Sequence, residues 1–181
     1  MITLFTDGSC YVASHTGGYA SLIAFEDGSR KLIFGGAHAT SIERMELTAV
    51  IEGLRYIRQY FADLIKQTGT QVHVTLVNDR EDLLRQISGE YGSKHNHDLW
   101  AAFKAVSDGM RITPIWTTRN IHPAQAMVDK VCGDVRILLE GVNPTMLHEV
   151  SAVDISVAGL LQQAAEERFI APGSAIPIIN P

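Results

Sequence analysis

Four carboxylates are placed where acids do chemistry: Asp7, Glu46, Asp79 and Asp129. Asp7 closes the run Ile2-Thr3-Leu4-Phe5-Thr6-Asp7 before Gly8, and Thr3, Phe5 and Asp7 share one face of the implied strand. Asp79 follows the alternating run Gln71 to Val77 at Asn78-Asp79, where a helix starts with Asp79 at or near its N-cap. If those two strands pair in parallel, Asp7 and Asp79 lie at equivalent ends, the edge of an open α/β sheet where sites form. Glu46 sits beside the apolar stripe Leu47, Val50, Leu54, Ile57 and Phe61, and Asp129 beside the stripe Val128, Val131, Val135 and Leu138. Taken singly, each acid has a plain structural reading. A strand-end Asp caps a turn, a Glu on a helix flank reaches solvent, and Asp129 is a surface acid. Taken together, they make a carboxylate-rich site that would hold divalent metal and account for part of the net charge of -5.

That charge does not suggest a general nucleic-acid binder, which presents a basic surface. A chain of 181 residues with 46% hydrophobic and 19% charged residues builds one domain with an appendage. No stretch approaches the roughly 18 apolar residues of a membrane span. Met1 to Leu4 has no signal-peptide character. Cys10 and Cys132 make no disulfide framework and read as free thiols in a reducing, cytoplasmic setting.

The elements that must position the acids follow in order. A strand from Ile2 to Asp7, one from Tyr19 to Phe25 opened by Gly17-Gly18, and one from about Arg30 to Ala37 form an antiparallel meander, with Asp27-Gly28 as a hairpin signal. A helix runs from Glu43 to about Phe61, with Thr40 and Ser41 as N-cap candidates. The strand from Gln71 to Val77 implies a parallel crossover. Asn96 caps a helix from about His97 to Val106, Arg111 to Trp116 is a fifth strand, and Pro123 suits the first position of the last helix. Beyond Glu140, Gly141, Asn143 and Pro144 break that helix. A short helix from roughly Val153 to Arg168 follows, and Ile170 to Pro181 reads as an arm that packs on the domain or on a neighbour.

The order βββαβαβα with these four acids resembles ribonuclease H of type 1. The matching stretches are Thr6-Asp7-Gly8-Ser9-Cys10, Gly17-Gly18-Tyr19-Ala20, Arg44-Met45-Glu46-Leu47-Thr48-Ala49, Asn96-His97-Asp98-Leu99-Trp100, and His122-Pro123 followed by Asp129. They span roughly residues 1–139. The resemblance implies an α/β fold, a five-stranded mixed sheet flanked by helices, over residues 1–140, with 141–181 as a C-terminal extension. It implies hydrolysis of the RNA strand of RNA–DNA hybrids, without a membrane, by two Mg²⁺ ions, with Mn²⁺ as a substitute. Asp7 would bridge both ions, Glu46 and Asp79 would hold one, and Asp129 the other. Two hard cations about 4 Å apart ionise a water and stabilise both the attacking and leaving oxygens, and Mg²⁺ prefers carboxylate oxygens.

Gly8, Ser9, Cys10 and Asn96 lie in the matching stretches along the substrate, and Arg44, Arg80, Lys94 and Arg119 are the cations that would meet its phosphates, each otherwise a solvated surface charge. The family's loop before the last helix supplies a His that assists proton transfer. Here Arg119 falls at that position, and His122 either acts as the acid or caps the helix that begins at Pro123.

Departures from the family pattern lie in substrate contacts. Ile42-Glu43 replaces a common Asn pair, Arg80-Glu81 follows the third acid, and Gln125 stands where an Asn is common. Tyr11 to His15 replaces a tight Asn-Pro-Gly turn, and the basic handle is reduced to Lys94. Two other functions compete. A nuclease for another duplex or a branched nucleic acid fits the altered contacts. A silent binding or scaffold module would be expected to lack one of the four acids.

Overall fold

Strands β1 (Ile2–Tyr11), β2 (Thr16–Ala24) and β3 (Arg30–Ala37) open the chain as an antiparallel meander. Helix α1 (Ile42–Tyr60) crosses to β4 (Val72–Asn78). Helices α2 (Glu81–Ile87) and α3 (His97–Ser107) lead to β5 (Met110–Trp116), and α4 (Pro123–Gly141) follows. The computed structural model describes residues 2–62, 71–90, 92–118 and 121–141. The expected helix at Val153 to Arg168 and the arm from Ile170 lie outside the described residues. The sheet order is β3-β2-β1-β4-β5, with β4 parallel to both β1 and β5. This is the five-stranded mixed sheet that the sequence implies.

Each layer follows from its side-chain pattern. The α1 stripe buries Leu47, Val50, Leu54 and Ile57 against Leu4, Val72, Val74 and Leu76 of the sheet. The other sheet face buries Phe5, Leu22 and Val77 against Val128, Val131 and Val135 of α4. Strand alternation thus sends Val74 and Leu76 one way and Val77 the other.

The boundaries correct the sequence reading at one telling place. β1 does not end at Gly8 but continues to Tyr11, and β2 begins at Thr16 rather than Tyr19. The reason lies in the partners. The β1–β4 ladder stops at Phe5 and Val77, yet β2 stays paired with β1 through Tyr11 and Thr16. Gly8 is kept inside the strand because α1 passes over it: a Cβ there would lie 2.4 Å from the Glu46 backbone nitrogen.

Candidate active site

Asp7 and Asp79 each stand two residues beyond the last β1–β4 pair, Phe5 with Val77, so the parallel register carries them to matching positions. The first turns of α1 bring Glu46 to the same corner. Ser41 starts that helix by accepting a hydrogen bond from the Arg44 backbone nitrogen (3.3 Å), and Glu43 in the first turn suits the helix dipole. Glu46 is therefore not a flank residue that reaches solvent, because it is only 3% exposed. Ligand oxygens of Asp7, Glu46 and Asp79 all lie within 4.8 Å of one another.

The electrostatics match a site built for added positive charge. Burial, then the Asp7 carboxylate, push the Glu46 carboxyl well above its usual range; the Asn78 amide and the Arg80 charge pull the other way. Burial with the charges of Asp7, Asp129 and Glu46 also holds the Cys132 thiol firmly protonated. The donor set fits a hard divalent cation, since it offers only carboxylate oxygens and a repulsion that a dication would relieve. Asp129 on α4 lies outside the 4.8 Å group, although its charge reaches Cys132 alongside those of Asp7 and Glu46.

The remaining candidates are distributed around this corner. Gly8 is buried against the backbone of Met45 and Glu46. Ser9 accepts from the Arg136 guanidinium (3.0 Å), and the Cys10 thiol faces the Thr40 carbonyl (3.7 Å). Arg44 makes a two-pronged pair with Asp98 (3.1 and 2.7 Å) and donates to Asn96 Oδ1 (3.2 Å). Asn96 occupies the position before α3 in a left-handed conformation (φ 57°), but its side chain makes no cap bond. Its oxygen is turned to Arg44 instead, which corrects the expected capping role.

Arg80 is held by Asp82 (2.9 and 3.0 Å) and Glu43 (3.5 Å). Lys94 is exposed on the wall of a cavity of about 300 Å³ that Glu46, Arg80, His95, Asn96 and Trp100 also line. His122 stacks on Phe5 with centroids 4.6 Å apart, and its Nδ1 accepts from the Ala124 backbone nitrogen (3.1 Å). That bond satisfies a backbone N–H in the first turn of the helix that begins at Pro123. Arg119 lies outside the described residues.

Some participants carry no sequence signal as site residues. Asn78 is fully buried and donates through Nδ2 to Glu46 Oε2 (3.0 Å) and to the Thr6 carbonyl (2.9 Å). Gln125, seen in the sequence only as a departure, is fully buried and donates to the same Thr6 carbonyl (3.0 Å). Trp116 donates its indole N–H to the Asp79 carbonyl (3.0 Å). Only the parallel crossovers that bring β1, β4, β5 and α4 together make these contacts visible.

Comparisons with known proteins agree with the arrangement. The family model described as RNase H matches residues 1–119, a span that holds Asp7, Glu46 and Asp79 and stops before Asp129. Ribonuclease H of Campylobacter curvus (strain 525.92) is 33% identical over 132 residues, covering 71% of this chain and 87% of its own. Ribonuclease H of Helicobacter acinonychis (strain Sheeba) is 31% identical over 132 residues, covering 68% and 84%. Among solved structures, LC11-RNase H1 in complex with an RNA/DNA hybrid aligns with a TM-score of 0.64 at 17% identity, over 78% of this chain and 100% of that one. The N-terminal RNase H domain of a Mycobacterium tuberculosis protein gives 0.62 at 19% identity, over 77% and 95%. At those identities the structural likeness speaks for the fold.

Proposed function

The chain belongs to the ribonuclease H family of endoribonucleases, and on that premise we propose that it cuts the RNA strand of RNA–DNA hybrids using divalent metal, Mg²⁺ or in its place Mn²⁺. The observation that carries this reading is the convergence of Asp7, Glu46 and Asp79 within 4.8 Å at one sheet edge. In this reading Asp7, Glu46, Asp79 and Asp129 would hold two ions, with Asp7 shared between them. Metal bound there would supply an ionised water and charge stabilisation for the attacking and leaving oxygens.

The chain's own groups do the rest. Asp7 is held by its pairing with Ala20 of β2, Asp79 follows directly on the last residue of β4, and Glu46 rides on a helix whose first turn is capped. Lys94 on the cavity wall offers a charge for a phosphate, and Asn96, whose Oδ1 is taken by Arg44, offers its amide N–H to the backbone of a strand. His122 spends Nδ1 on its own helix, so any proton it passes to a leaving oxygen travels through Nε2. Residues 1–140 form the catalytic unit in this reading and 141–181 an extension of it.

One observation favours a second reading. Glu43, at a position where the family commonly contacts RNA with an Asn, is turned to Arg80 (3.5 Å). A different duplex or a branched nucleic acid would fit such an altered contact. One labelled set decides: hybrid, RNA duplex, DNA duplex and a DNA junction, each with Mg²⁺ and with chelator. Cleavage of the hybrid alone, in its RNA strand and only with metal, is the expected result. Cutting of the junction instead would establish the second reading, and binding without cutting would mean a scaffold.

A further inference from the structure

We propose that Asn78 is the positioning residue of the metal centre, one side chain that ties all three clustered acids together. The inference rests on the metal-dependent reading above and goes beyond its ligand set. Asn78 is the last residue of β4 and is 0% exposed. Its Nδ2 donates to Glu46 Oε2 (3.0 Å), to the Thr6 carbonyl (2.9 Å) and to Thr6 Oγ1 (3.1 Å). Its Oδ1 accepts from the Arg80 backbone nitrogen (2.7 Å). The partners fix which way the amide faces. An Arg80 N–H can only donate, while a carbonyl and a carboxylate can only accept.

The consequence lies in where those partners sit. Thr6 is the residue before Asp7, and Asn78 and Arg80 bracket Asp79. Asn78 therefore grips the backbone on which two of the acids ride and the carboxylate of the third. The β1–β4 ladder has already ended at Phe5 and Val77, so no β1–β4 backbone pair holds the corner at Asp7 and Asp79. The side-chain amide continues the tie that the ladder drops. Groups that orient metal ligands in this way set affinity without touching the ion.

Asn78→Thr removes the amide and puts in its place a β-branched residue suited to a strand. Asn78→Ser is carried alongside as a smaller cut, and the folding of each is checked by circular dichroism. Mn²⁺ is titrated calorimetrically into the metal-free full chain. We expect dissociation constants raised about 10- to 100-fold, the usual scale for such partners. Cleavage should return toward the wild-type kcat at saturating metal with KM for hybrid unchanged. On a Glu46→Gln background the same substitution should lose part of its effect, because the bond to Glu46 has lost its charged acceptor while the ties to Thr6 and to the Arg80 backbone nitrogen remain.

An affinity within twofold of wild type in a folded variant overturns the proposal, as does a loss of equal size on the Glu46→Gln background. A wild type that binds no Mn²⁺ fails the metal-dependent reading itself and takes this proposal with it. A wild type that binds Mn²⁺ alongside an unaffected Asn78→Thr fails this proposal alone.

Discussion

At the scale of single residues the corner trades stability for a place to put charge. Glu46 keeps its proton to a higher pH when folded than when unfolded, first because it is buried and next because Asp7 is close. The sign of the pH effect follows. Below the ordinary carboxyl value of 4.5 both states hold the proton, and the contribution to stability is fully present. As pH rises, the unfolded chain releases the proton first, and the contribution is lost as pH passes through the raised folded value. Without metal, the wild type should therefore lose thermal stability across that window. Asp7→Asn removes one source of the repulsion, so its midpoint in chelator near neutral pH should equal or exceed the wild type, while cleavage disappears. A mutant less stable than wild type at pH 8, or one that still cuts, would show that Asp7 does not serve the centre. Asp7, Glu46 and Asp79 are legible in the sequence only together, because each alone has a plain structural reading and it is their order and spacing that resemble ribonuclease H. Asn78 and Gln125 are not, because an amide acquires meaning only from a partner 32 or 119 positions away.

At the scale of elements, periodicity did most of the predicting. The α1 stripe and the β4 alternation each specified one buried face, and both faces are buried as read. The end of β1 lies beyond the sequence expectation because Gly8 carries two opposite meanings, a strand terminator or a place where another backbone comes close. The structure uses the second. A Cβ at Gly8 would meet the Glu46 nitrogen at 2.4 Å and the Met45 carbonyl carbon at 2.7 Å, both backbone atoms that cannot swing aside. Gly8→Ala should therefore push α1 off β1. Overpacking usually costs about 1–3 kcal/mol, and a backbone-to-backbone clash belongs at the upper end. The same shift moves Glu46 away from Asp7, so metal affinity should fall with stability. Denaturant unfolding and a metal titration on one preparation test both. An unchanged midpoint would mean that the helix does not lie against the strand at this point.

At the scale of the whole molecule the charge distribution limits how the protein meets its substrate. The net charge is -5, and many of the described cations are committed to neighbouring acids. Arg44 is paired with Asp98, Arg80 with Asp82 and Glu43, Arg85 with Glu81, and Arg136 with Glu140. An exposed pair such as Arg85 with Glu81 contributes little to stability, about 0–1 kcal/mol, but each engaged cation is one fewer to neutralise a phosphate. The carboxylate corner adds repulsion that a bound dication would relieve. Affinity for hybrid should then depend weakly on salt and strongly on divalent ion. Each neutralised phosphate contributes a slope of about -0.9 in log K against log salt for a duplex. With Lys94 and a few neighbours in contact, the slope should be on the order of -3 to -4. Binding measured from low to moderate salt, with catalysis blocked by Asp7→Asn or by Ca²⁺, gives that slope directly. A value implying roughly eight or more phosphates would mean that the arginine pairs open on binding and that the surface is more basic in the complex than in the free chain. A slope that steepens when Asp98→Asn releases Arg44 would locate the first pair to do so.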